Sequence, residues 1–316
     1  MKKSLSNIFL YFPTAPAVIR TTDTQPFFLA VMIPRARATI GKWLIAFMVS
    51  LMLPFELLYA GAELAPTKII AFQIFVITVL TLGHASSDAG LVNGKYIALI
   101  LGITFLSLFI PLQDLYSSRP KVEGFRSIPF TFPEASYAAK FFYFYSVFRM
   151  LQNQRIGWID YVLPLATLSL TGAILSIHLF LMSHHSLLLK LATLILTSLF
   201  ATLIADYISL GRLSELIQNR NNIFDFIVSD PSFVTRTAYL AGDGSSYQSL
   251  LSLLSNAPFT ACVLTATFLA LLCIVQRFRL NIFYIFLSSF FILGYSDTYL
   301  QPFGILVLAC CLRGRN

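Results

Sequence analysis

Charge is what this sequence has least of. Asp, Glu, Lys and Arg make up 11% of its 316 residues, against 57% hydrophobic residues. A soluble chain of this length needs far more charge to cover its surface, so the composition excludes an ordinary soluble globular protein. Cysteine is also sparse. Cys262, Cys273, Cys310 and Cys311 all fall in apolar runs, and their spacing fits neither a disulfide framework nor a metal-binding motif. Internal repeats, low-complexity tracts and a second soluble domain are absent from the pattern. Lys2 and Lys3 precede a short apolar stretch, but Pro13 and Pro16 interrupt it, which makes a poor signal-peptide core.

Long apolar runs are what the sequence does have. Stretches of about 15–20 apolar residues recur along it, the signature of transmembrane helices. Spans are expected over 43–60, 69–83, 96–112, 134–151, 186–208, 259–276 and 281–295, with a shorter one at 300–312. The run DYVLPLATLSLTGAILSIHLFLM, 160–182, reads either as one long helix or as two short ones broken at SLTGA, where Ser169, Thr171 and Gly172 weaken the helix. Charge chooses between them. The net charge of +8 gathers between spans, a pattern that fixes membrane orientation and is not a nucleic-acid surface. Lys2, Lys3, Arg20, Arg35, Arg37 and Lys42 place the N-terminal region in the cytoplasm. Arg277, Arg279, Arg313 and Arg315 place the C-terminal region there as well. Both ends inside requires an even number of spans, so 160–182 is expected to form two. The expected fold class is therefore an all-α polytopic bundle of about ten spans, a single membrane domain over 1–316 with one long periplasmic loop at 209–258.

Polar residues cluster on the outer side of that topology. Arg119, Lys121 and Arg126 precede a span that opens FTFPEASYAAKFF, with Glu134, Ser136 and Lys140 in its first turns. The long loop carries Arg212 and then SDPSFVTR, with Asp230, Ser232 and Arg236; YSDTY near the C-terminus carries Asp297. Each has a plainer reading. Asp230 or Ser232 can cap the helix carrying Arg236, and Glu134 can sit in a first turn favoured by the helix dipole. Arg212 and Lys140 can snorkel to an interface. The aromatics Phe141, Phe142, Tyr143, Phe144 and Tyr145 fit interface and packing roles.

Several of these stretches, in order, resemble one family. PEAS-YAA resembles the Glu-Pro-Ser-aromatic-Ala pattern of bacterial O-antigen and exopolysaccharide repeat-unit polymerases of the Wzy type. LSLTGAILSI looks like their broken Ser/Thr-rich helix pair, and SDPSFVTR is similar to their Asp-x-Ser-x-x-x-Arg segment. LLSNAPF resembles the exit of their large periplasmic loop, and YSDTYLQP the last periplasmic turn. The resemblance runs over roughly residues 95–312. It departs from the pattern at Ala135, where the family has proline, and at Thr260 and Cys262, where glycines are common. The segment after Ser169 also lacks an arginine that many relatives carry.

The resemblance implies metal-independent glycosyl transfer with no cofactor, in the bacterial inner membrane. The substrate would be an undecaprenyl-pyrophosphate-linked oligosaccharide, with membrane lipid and a chain-length regulator as partners and no nucleic acid. A carboxylate must take the acceptor's proton, a role worth about 10²–10⁴-fold, and Glu134 and Asp230 are the candidates. Arg212 and Arg236 suit the leaving pyrophosphate because a planar guanidinium holds two phosphate oxygens at once. Ser136, Ser232, Lys140 and Asp297 complete the expected substrate contacts. A flippase or transporter of a lipid-linked sugar is the rival class, and an O-antigen ligase would share fold and chemistry.

Overall fold

The computed structural model describes residues 10–11, 38–61, 66–83, 92–106, 109–110, 130–132, 135–183, 186, 188–192, 195, 253–254, 257–276, 279–295 and 301–313. Every bounded element among them is a helix. In chain order these are α1 Ile40–Tyr59, α2 Pro66–Thr81, α3 Gly94–Leu106, α4 Ala135–Leu151, α5 Trp158–Leu165, α6 Leu170–Met182, α7 Pro258–Gln276, α8 Leu280–Tyr295 and α9 Pro302–Cys311. Among the described residues α1 and α7 are long and apolar enough to cross a membrane. The chain divides into two compact units, Met1–Tyr96 with Thr235–Asn316, and Ile97–Val234.

In the first unit α1 packs on α2 and α7, α8 on α7 and α9, and α9 on α2. One stripe of α1, at Ala46, Val49, Ser50, Leu53 and Leu57, is buried. Its other face, with Leu44, Phe47, Met48, Phe55 and Leu58, is exposed and apolar. An apolar exposed face is the opposite of what water selects, and it is the face a lipid-embedded helix presents. Phe268 of α7 sits at the centre of the core, its ring against Phe75 of α2 and Phe286 and Phe290 of α8. α9, PFGILVLACC, is apolar on every side, as suits an interior or lipid-embedded helix, and all its residues but the half-buried Cys310 are buried.

The ends of these helices sort into two sets. At one end Lys42 Nζ donates to Leu312 O (3.1 Å), and Gln276 Nε2 donates to Cys311 O (2.6 Å) and Arg313 O (3.0 Å). These bonds satisfy carbonyls that the last turn of α9 would otherwise leave open, and Lys42 adds a cation where the helix dipole is negative. Gly83, just beyond α2, lies at the same end; a Cβ there would come within 3.0 Å of Ala309 O. At the opposite end Glu56, in the last turn of α1, meets the start of α7 at Phe259 and Thr260. Thus α1 runs one way, and α2, α7 and α9 run the other.

Within the second unit α4, α5 and α6 form a cluster in which all three touch one another. α4 is buried from Ala135 to Phe148 except at Ser136, so its aromatic run is core. Phe132, in the turn before α4, stacks its ring near Tyr137, Phe141 and Phe142. The break expected in 160–182 is present at Ala166–Ser169, just ahead of SLTGA's last four residues, which open α6. Ser169 is the N-cap of α6, its Oγ accepting from Gly172 N (3.0 Å), while Thr167 Oγ1 donates to Pro164 O (2.7 Å). Leu168 carries the turn at φ 52. Gly172 is demanded by contact: a Cβ would stand 2.1 Å from Pro164 O.

After this turn α6 doubles back along α5. Ser176 Oγ donates to Tyr161 O (2.7 Å), and the Tyr161 and Phe180 rings meet edge to face at 5.6 Å. The two arms have 8 and 13 residues. At 1.5 Å per residue they rise about 12 and 20 Å, short of the ~30 Å of a bilayer core. The expectation of two helices holds, but two full spans do not fit these arms: the pair is a short helical hairpin.

Candidate functional site

Ser136 and Lys140 are the expected site residues that the structure describes; Glu134, Arg212, Asp230, Ser232, Arg236 and Asp297 lie outside the described residues. On α4, Ser136, Lys140 and Tyr143 recur at intervals of four and three, so they share one face. Ser136 is half-buried, and Lys140 is 7% exposed. The snorkelling alternative for Lys140 does not hold, since its side chain is withdrawn from the surface. A cation enclosed among Phe, Tyr and Ala side chains has to be matched by polar partners, and such residues mark ligand or ion paths in apolar bundles.

Across from this face stands His178 of α6, which the sequence reading passed over. The Tyr143 hydroxyl and His178 Nδ1 are 2.8 Å apart, with ring centroids at 5.7 Å. Tyr143 is wholly buried and His178 half-buried. Ser176 and Phe180 turn to α5, which leaves His178, on the opposite side of α6, to face α4. The available signal was one ionisable side chain inside the apolar run LSIHLFLM.

A second polar cluster closes the far end of α4. Asp160, 3% exposed, accepts through Oδ1 from Arg149 Nη1 (2.6 Å) and Ser146 Oγ (3.0 Å). Its Oδ2 accepts from Gly157 N (2.8 Å), the reaching-back half of a capping box whose other half glycine cannot make. Arg149 also donates from Nε to Gln154 Oε1 (3.2 Å) and from Nη2 to Arg155 O (2.9 Å). With all three guanidinium nitrogens and both carboxylate oxygens engaged, this cluster fastens α5 to α4 and leaves no group for chemistry. Among the described residues no three metal-ligating side chains come together, and all four cysteines are free thiols.

The described residues thus form helices, two of them long and apolar enough to cross a membrane, and in the second unit Lys140 and Tyr143 share a buried face of α4 with His178 against Tyr143. Compared with family models, curated proteins and solved structures, the chain matches none.

Proposed function

We propose that the protein is a multi-pass bacterial inner-membrane glycosyltransferase that polymerises undecaprenyl-pyrophosphate-linked oligosaccharide repeat units into surface polysaccharide. The observation that carries this reading is Lys140, a cation enclosed one turn beyond Ser136 in the helix that follows PEAS. An enclosed cation suits a phosphate group better than it suits a lipid tail. The helix ends of the first unit support the orientation, because Lys42 and Arg313 share one end and Glu56 marks the other. About ten membrane passages follow if the α5–α6 hairpin counts as an in-and-out pair.

In the transfer, a hydroxyl oxygen of one lipid-linked repeat attacks the anomeric carbon of the growing chain. A new glycosidic C–O bond forms, the bond from that carbon to the pyrophosphate oxygen breaks, and undecaprenyl pyrophosphate leaves with the electron pair. Glu134 or Asp230 takes the acceptor's proton. Lys140, Arg212 and Arg236 neutralise the leaving pyrophosphate, and Ser136, Ser232 and Asp297 hold sugar hydroxyls. A strain lacking the protein is expected to carry lipid-linked surface sugar of a single repeat, one short band in place of a ladder. Lys140→Met at normal membrane level is expected to give the same pattern. An unchanged ladder in both would remove the reading.

One observation favours a second reading, transport of a lipid-linked sugar. Tyr143 lies halfway along α4 and pairs with His178 beside a discontinuous helix pair, the place where transporters put polar groups. That reading expects the deletion strain to lose surface sugar altogether.

A further inference from the structure

The base of the α4–α6 cluster gathers charge of one sign beside an apolar surface. Arg149 lies in the last turn of α4, Arg155 just before α5, and Lys190 after α6. Tyr161 of α5 lies against Ser176 and Phe180, so the last turn of α6 stands beside the first turn of α5. Lys190 Nζ donates there to Leu181 O (2.8 Å), one of the carbonyls that the end of α6 leaves open. Asp160 is the sole acid among the described residues of this unit, and Arg149 already pairs with it. Arg155 and Lys190 therefore have no counter-charge among the described residues.

These two cations also keep donors to spare. Arg155 is exposed, and its guanidinium bonds nothing among the described residues, although its carbonyl accepts from Arg149 Nη2. Lys190 uses one of the three N–H groups of its ammonium on Leu181. Positive charge that only orients a loop needs no particular surface next to it. Here there is one.

The outward side of the hairpin is apolar. Trp158 (71% exposed), Ile159, Val162 and Leu165 make one exposed stripe of α5, and Ile174 and Leu181 are exposed on α6. The polar side chains of α5, Asp160 and Tyr161, are taken up by α4 and α6. Such a stripe suits acyl chains and not water. Along the chain the order is a cation at Arg155, an indole at Trp158, then aliphatic residues. A phospholipid read from its headgroup inward presents the matching order of phosphate, ester region and hydrocarbon.

We propose that the base of the α4–α6 cluster binds the headgroup of an anionic phospholipid. Arg155 and Lys190 meet the phosphate, Trp158 lies at the ester level, and Ile159, Val162 and Leu165 line the first acyl chain. The proposal rests on the membrane location of the chain and uses no residue assigned to glycosyl transfer.

The sequence has two tryptophans, Trp43 and Trp158, so Trp43→Phe leaves Trp158 as the single indole reporter. The full-length Trp43→Phe protein is reconstituted in phosphatidylcholine bilayers, and its fluorescence is quenched with brominated phosphatidylglycerol or brominated phosphatidylcholine. Each cation beside an anionic lipid is worth about fivefold in affinity, so two should favour phosphatidylglycerol by about 25-fold. Adding Arg155→Gln should lower the preference to about fivefold, and adding Lys190→Gln as well should bring it near one. The Arg155 side chain holds no other group among the described residues, so its removal leaves the fold intact. Equal quenching by the two lipids before Arg155 is changed overturns the proposal, as does a preference that Arg155→Gln leaves unchanged. Absence of quenching by either lipid, the result if another protein covers Trp158, overturns it too. The ladder of a deletion strain tests the transfer reaction separately, so either reading can fail alone.

Discussion

Removing the charge of Arg149 and removing that of Asp160 should not cost the same, although the two form one ion pair at 2.6 Å. Their burial differs: the side chain of Arg149 keeps 25% of its surface exposed, that of Asp160 only 4%. In Asp160→Asn the stranded partner is a guanidinium that can turn to water and still holds Gln154 and the Arg155 carbonyl. That loss should stay near one charge-assisted hydrogen bond, about 1.5–3 kcal/mol. In Arg149→Met the stranded partner is an enclosed carboxylate with only Ser146 and the Gly157 N–H left to it. Leaving a buried charge uncompensated costs about 3–5 kcal/mol, toward the lower end here because two donors remain. The double variant should be less damaged than the sum of the two, since it strands neither charge. The assay is thermal unfolding in detergent, followed by loss of the monodisperse chromatographic peak. The expected order of stability is wild type, Asp160→Asn, then Arg149→Met, with non-additive coupling in the double variant. Equal losses from the two single variants, or strict additivity, would refute the argument from unequal burial.

The α5–α6 turn gives a second test: Gly172→Ala should destabilise the protein by about 3 kcal/mol or more, since overpacking costs about 1–3 kcal/mol even where side chains can shift and here the obstacle is the backbone carbonyl of Pro164, a difference thermal unfolding would read. Reporters fused after Asn219 and Gly244 should signal the periplasm and one after Arg315 the cytoplasm; a cytoplasmic signal at Gly244 would mean that 158–182 does not return to the side it entered. Glu134→Gln and Arg236→Lys should each abolish the polysaccharide ladder at normal membrane level, the second because the bidentate fork is lost while the charge is kept, and normal ladders from both would sink that assignment.

Helix positions were legible because an apolar run and its polar flanks are local. The expected 259–276 and 281–295 became Pro258–Gln276 and Leu280–Tyr295, and 43–60 became Ile40–Tyr59. The break in 160–182 was also readable, from Ser169 and Gly172. The shortness of its arms was not, because it depends on Gly172 lying against Pro164 and on Thr167 bonding back to it. Lys140 was conspicuous as a cation in an apolar run, but burial depends on neighbours, and the sequence left snorkelling open. Nothing local ties Arg149 to Asp160, which reaches it only after a turn with Asn153 at φ 57. The cap made by Glu56 was not legible because the first N–H group it serves lies 203 residues further on.

The enclosed position of α9 has a consequence for how the chain is made. It packs on both α2 and α8, yet α2 ends at Thr81 and α9 begins at Pro302. At about 5–20 residues per second, the ribosome takes on the order of ten to forty seconds to travel from one to the other. For that interval the side of α2 that will receive α9 has no native neighbour, and it must be shielded by lipid, by a chaperone or by a provisional helix. Quality control therefore has a long window on this half of the molecule, and substitutions that weaken α9 should act first by lowering the amount of protein that survives synthesis.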